Sequence, residues 1–119
     1  MDLFNWGKDK AGKTKTKFTP EEASVSETML WVCEKCGFKL VREGEDSPAR
    51  SIQKAVKSIL SDKKQKRQIR CMVTTCMNVC PTDKIAVGLV DLKSGKARFL
   101  SFEFKGSVEQ IAEDLYLQI

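Results

Sequence analysis

Histidine is absent from the 119 residues. That removes the mixed Cys/His zinc finger, the Rieske type of iron–sulfur centre and every catalytic dyad or triad that depends on imidazole. Long apolar runs are missing too. The longest, Ile85 to Val90, is far below the roughly 18 residues that cross a bilayer, so no membrane span is expected. Residues 1–17 carry five lysines and no apolar signal-peptide core, which makes the cytoplasm the expected location. Aromatic residues are scarce between Val32 and Phe99, where Phe38 stands alone. Base stacking therefore has few platforms, and no nucleic-acid partner is expected. Internal repeats and low-complexity segments are also lacking.

The chain does have enough apolar residues to fold. With 41% hydrophobic and 31% charged residues it matches an ordinary globular domain, and its length suits a single core. Residues 1–27 show neither helical nor strand periodicity and contain Pro20 in a Thr-Pro-Glu-Glu turn, so they are expected to form a flexible basic tail ahead of a domain at 28–119. Leu3, Phe4 and Trp6 stand out in that tail. They suit either folding back on the domain or docking on a partner or membrane surface.

Periodicity orders the rest. Met29 to Cys33 is a short apolar run that suits a buried strand. Ser47-Pro48 has the chemistry of a helix start, with Ser as N-cap and Pro at the first helical position. Ile52, Ala55, Val56, Ile59 and Leu60 then form one apolar stripe. Gln68 to Thr74 alternates as a second strand; Lys84 to Asp91 and Ala97 to Phe104 follow as a third and fourth, joined at Ser94-Gly95. Ser107 and Gln110 make a capping-box pair before a closing helix striped by Val108, Ile111, Ala112, Leu115 and Tyr116. The expected fold is α/β: β-α-β, then β-β-α, in a mixed four-stranded sheet flanked by helices, the layout of a thioredoxin-like domain.

Five cysteines are many for such a chain, and their odd number means that they do not all pair. Without an export signal they read first as metal or redox groups. Cys33-Glu34-Lys35-Cys36 closes the first strand, and Cys76-Met77-Asn78-Val79-Cys80 follows the second. In a parallel β-α-β unit both loops leave from the same end of adjacent strands. Cys33, Cys36, Cys76 and Cys80 thus become candidate ligands of a [2Fe-2S] cluster, in which each iron takes two cysteines. Cys71 shares the parity of Ile69 and Val73 and is expected in the core. Were the strand to end earlier, Cys71 would replace one ligand.

Two other readings compete. Four thiolates also suit the structural zinc of a four-cysteine interaction module, and Trp31 to Gly37 is similar to the zinc ribbon at the start of bacterial carboxyltransferase β-subunits. A dithiol oxidoreductase would need the C-x2-C at a helix N-terminus, whereas the expected helix starts eleven residues beyond Cys36.

From Cys33 through Thr74-Thr75-Cys76-x3-Cys80 to the final amphipathic helix, residues 29–119 resemble the thioredoxin-like [2Fe-2S] ferredoxins and related small bacterial proteins with a C-x2-C and a C-x3-C pair. The resemblance implies an electron carrier rather than an enzyme. It implies Cys76 and Cys80 as cluster ligands, with Cys33 and Cys36 in the roles of the two cysteines after the first strand. It also raises a homodimer as an expected assembly. Two features depart from the family: only two residues separate Cys33 from Cys36, and Pro81-Thr82 follows Cys80 in place of Gly-Pro.

Charge adds a partner. The net charge is +5, and residues 50–70 hold eight Lys/Arg against one Asp. Lys63, Lys64, Lys66 and Arg67 are accordingly candidates to dock an acidic redox protein. The alternative is a solvated helix end favoured by the helix dipole.

Overall fold

The computed structural model describes residues 16–22 and 25–119. Leu3, Phe4 and Trp6 lie outside the described residues. The chain enters the sheet just ahead of the first strand: the Ser26 and Glu27 amides donate to the carbonyls of Arg67 and Gln68, and the Leu92 amide donates to that of Glu27.

Strand β1 spans Thr28–Cys33, and a short helix α1, Glu34–Phe38, follows it without a break. Helix α2 runs Pro48–Asp62; strands β2, β3 and β4 span Ile69–Thr74, Ile85–Asp91 and Lys96–Phe102; helix α3 closes the chain at Val108–Gln118. The sheet order is β2-β1-β3-β4. β1 pairs parallel with β2 and antiparallel with β3, and β3 pairs antiparallel with β4. The α/β class and the mixed four-stranded sheet flanked by helices are therefore as the periodicity indicates. Among the described residues no helix is long and apolar enough to cross a membrane.

Local chemistry explains the boundaries. At α2 the Ser47 hydroxyl accepts the Arg50 amide at 3.3 Å, and Pro48 occupies the first turn, where its missing N–H costs nothing. Buried Ala49, Ile52, Val56 and Leu60 form the face toward the sheet. The helix ends in a Schellman arrangement: Lys64 takes φ 56°, its amide donates to Ser61, and the Gln65 amide donates to Leu60.

Two sequence expectations need correction. Strand β4 stops at Phe102 instead of Phe104. Only half of the capping box forms at α3: the Ser107 hydroxyl accepts the Gln110 amide at 3.1 Å, while the Gln110 side chain donates forward to Asp114.

One face of the sheet meets α2, on which α3 packs in turn. Leu30, Val32, Cys71, Val87 and Leu89 are buried there by strand parity, each at 3% exposure or less. The opposite face carries half-buried Met29, Trp31, Met72 and Val90 with Phe99, which is 57% exposed. Cys71 lies opposite Leu30 in register and is 1% exposed. It belongs to the core, as its parity indicates.

Candidate functional site

Because β1 and β2 are parallel and in register from Thr28↔Ile69 to Cys33↔Thr74, their C-terminal ends lie side by side. Cys33 ends β1, Cys36 lies in α1, and Cys76 and Cys80 sit in the loop after β2. The sequence-predicted ligands therefore gather at one end of the sheet. They form two unlike pairs: Cys33 and Cys36 are buried, whereas Cys76 and Cys80 are exposed. Among the described residues no three Cys, Asp or Glu side chains converge closely enough to hold a single ion.

Helix α1 is the local feature that the sequence conceals. Five residues are too few to display a period, and Cys33 occupies the N-cap without a side-chain capping bond. What holds α1 is its packing against the start of α2 and against β3. Arg50 Nε donates to Glu34 Oε2 at 2.8 Å across the α1–α2 junction. Since Arg50 is two-thirds exposed, that ion pair adds at most about 1 kcal/mol and acts chiefly as a brace.

Gly37 makes the close approach possible. A Cβ there would lie 3.1–3.2 Å from three atoms of the Pro48 ring. The ring cannot bend aside, so Gly37→Ala must push α1 off α2. Overpacking of this kind costs about 1–3 kcal/mol, against which the helix-propensity gain from Gly to Ala recovers at most about 1. Urea denaturation should record a net loss of up to about 2 kcal/mol. A raised midpoint would mean that α1 is free to slide.

The two thiol pairs differ in their chemistry. Burial pushes the Cys36 thiol up, a backbone hydrogen bond from Ala86 opposes this, and the neighbouring Cys33 and Cys80 add to the rise. Cys33 Sγ donates to the Thr75 carbonyl at 3.7 Å, which ties β1 to the loop after β2. Cys76 moves the other way. The Asn78 amide donates to its sulfur at 3.3 Å and lowers its pKa, helped by Cys80 and by the charges of Lys35 and Lys39.

The C-x2-C thus does open a helix, contrary to the sequence expectation of a helix starting only near Ser47. Its thiols are nonetheless buried, and the thiol with the lowered pKa lies in the other pair. Cys71 is pushed up to about 12 by burial, which leaves its thiolate fraction about a thousandfold below that of an ordinary cysteine. In the reduced, metal-free chain, iodoacetamide at pH 7 should therefore label Cys76 early and leave Cys71 unmodified until the protein unfolds. Site-resolved mass spectrometry reads this directly, and native-state labelling of Cys71 at the rate of Cys76 would contradict its core position.

The loop that presents Cys76 and Cys80 has an unusual backbone. Among the described residues four non-glycine residues have positive φ, and three of them lie here: Asn78 at 59°, Cys80 at 44° and Asp83 at 54°. Asn and Asp tolerate that region; Cys does not, at a cost of about 1–3 kcal/mol. Met77 anchors the loop. Its sulfur lies over Gly88 of β3, where an added Cβ would come within 3.1 Å of it and 3.3 Å of the Phe99 ring. A glycine in a central strand is thus explained by the close approach of another segment.

No family model, curated protein or solved structure matches the chain. What the site can do follows from its residues alone. Glu34, Gly37, Asn78, Met77 and Gly88 all support it, and of these only Gly88, a glycine inside an apolar strand, left a visible mark in the sequence.

Lys63, Lys64, Lys66 and Arg67 sit elsewhere. They follow α2 and precede Ile69, at the end of the sheet where Thr28 pairs with Ile69. Five residues of strand, about 17 Å, separate that end from Cys33. Lys63 lies over the Tyr116 ring, 5.2 Å from its centroid, and the Tyr116 hydroxyl donates to the Gln65 side chain. Contact with α3 accounts for part of this cationic cluster.

Proposed function

We propose that this chain binds a [2Fe-2S] cluster through Cys33, Cys36, Cys76 and Cys80 and carries electrons between protein partners in the cytoplasm. The observation that carries the reading is the arrangement of donors as two pairs at the ends of adjacent parallel strands. A zinc ion needs its thiolates around a single atom, and among the described residues no three donors converge that closely, whereas a binuclear cluster takes two thiolates on each of two irons. The strand order β2-β1-β3-β4, with only the first pair parallel, is also what a thioredoxin-like domain would have.

When bound, such a cluster supplies one-electron exchange. The chain's own residues supply the surroundings. Cys33 and Cys36 would hold the cluster from within the domain, where their burial excludes water and strengthens electrostatic interactions. The Asn78 amide, donating to Cys76, and the Ala86 backbone beside Cys36 stabilise negative charge on sulfur, as hydrogen bonds to cluster ligands do.

The test is the metal content and visible spectrum of protein purified without oxygen. Two irons and two sulfides per chain with visible charge-transfer bands are expected. Colourless protein with one zinc would replace the electron-carrier reading with a structural site in a four-cysteine interaction module.

A further inference from the structure

The cysteine site reaches the surface through one of its two pairs. Cys33 and Cys36 are 1% and 5% exposed, while Cys76 and Cys80 reach the surface. Helix α1 borders this opening, because the Lys35 amide donates to the Thr75 carbonyl at 3.1 Å, next to Cys76. Two large apolar residues of these segments are uncovered: Phe38, the last residue of α1, is 48% exposed, and Val79, between Cys76 and Cys80, is 40% exposed. Lys35 and Lys39 project from the same short helix and its cap, and both are exposed. Glu34, the acid on this helix, is engaged by Arg50. Asp83 lies in the loop and Lys84 follows it, one charge of each sign.

We infer that this opening is a docking surface for a redox protein whose own centre is ringed by Asp and Glu. Phe38 and Val79 form its apolar contact, and Lys35 and Lys39 its cationic rim. The inference rests on the proposed function for the kind of partner, and it gives the partner a place different from the Lys63–Arg67 cluster. Electrons must leave through the exposed pair, and a partner held about 17 Å away at the other end of the sheet would not reach it. Small apolar contacts with opposed charges suit the weak, transient interfaces of electron transfer. The Lys35 amide is bonded to the Thr75 carbonyl, one residue from Cys76, and Lys39 caps the same five-residue helix, which places both charges beside the opening.

The test uses the full-length chain, reduced and free of metal, so that it stands whether or not a cluster binds. Alkylation of Cys76 by anionic iodoacetate is compared with that by neutral iodoacetamide, residue by residue, at low salt. The ratio of the two rates reports local potential and cancels changes in thiolate fraction. Lys35→Glu with Lys39→Glu should lower the ratio about tenfold at 10 mM salt, and the effect should largely vanish at 0.5 M. Lys66→Glu with Arg67→Glu should leave it unchanged. A ratio unmoved by the first pair, or moved equally by the second, overturns the inference.

A second measurement adds a short poly-glutamate peptide to labelled protein and follows amide shifts. Shifts at Lys35, Phe38, Lys39 and Val79 support the surface; shifts that omit Lys35 and Lys39 refute it. Protein that holds no iron yet passes both tests would sink the cluster reading and leave this anion-attracting surface standing.

Discussion

Replacing any one of Cys33, Cys36, Cys76 or Cys80 by serine is expected to abolish or strongly reduce bound iron, because a hydroxyl oxygen is a poor substitute for thiolate at soft-ligand iron. Cys71→Ser is expected to retain the metal. The division of the site into a buried and an exposed pair sharpens this result. Serine at Cys76 or Cys80 faces water, so the metal-free fold should change by no more than about 0.5 kcal/mol. Serine at Cys36 or Cys71 puts a hydroxyl in a site 5% or 1% exposed and should cost about 1–3 kcal/mol in the metal-free protein, whereas at Cys33 the hydroxyl inherits the Thr75 carbonyl as acceptor and should cost less.

Iron content measured beside urea stability therefore separates a lost ligand from a damaged fold. Retained iron in Cys76→Ser, or an empty site in Cys71→Ser, would break the ligand assignment. Cys71 also makes stability depend on alkaline pH. Its folded pKa is raised to about 12, so the neutral thiol's contribution is fully present below pH 9. It is lost as pH climbs toward 12, at about 1.4 kcal/mol per pH unit.

Leu30→Ala should be among the most damaging single changes in the chain, with a loss of about 2–5 kcal/mol. Leu30 is fully buried in β1, one of the two strands bonded on both sides, and stands in register between Cys71 of β2 and Leu89 of β3. Its register neighbours are buried too, so little can collapse into the space that the missing atoms would leave. With total stabilities of about 5–15 kcal/mol for a domain, such a loss brings the protein near unfolding at ambient temperature. Phe99→Ala, on the open face, serves as the control and should cost less than about 1 kcal/mol, since 57% of that residue is already exposed. Urea midpoints at equal m-value decide between them. Similar losses at the two positions would mean that the open face carries as much of the stability as the buried one.

Much of the fold was written in local signals. The start of α2 needed only Ser47, Pro48 and the apolar stripe, because capping and amphipathicity act within a few residues. The core position of Cys71 followed from strand parity, since a strand alternates its faces whatever it packs against. The gathering of two cysteine loops at one end of the sheet followed from the parallel β-α-β order. Other features had no local signature. Cys80 precedes Pro81 and bears no mark of a left-handed conformation, so its φ of 44° depends on how the whole loop is held. The forward turn of the Gln110 side chain to Asp114 was hidden for a similar reason: its amide can accept from the Ser107 N–H behind it or donate to the Asp114 carboxylate ahead, and sequence does not rank the two.

Residue type and spacing by themselves determined the α/β order, the two cysteine pairs and the absence of histidine chemistry, because each is a property of neighbours along the chain. Only the tertiary structure decided that Cys33 and Cys36 are buried while Cys76 and Cys80 face outward, that Gly37 lets α1 rest on Pro48, and that Met77 lies over Gly88. It also decided which cations stand beside the cysteines. Lys63 to Arg67 form the denser run in sequence, yet α2 ends at Asp62 and the chain must still travel the length of β2 before it reaches the site. Lys35 and Lys39 form no such run. They come to the opening because α1 folds back against Thr75, a contact between segments 40 residues apart, and long-range packing of that kind has no counterpart in any local pattern.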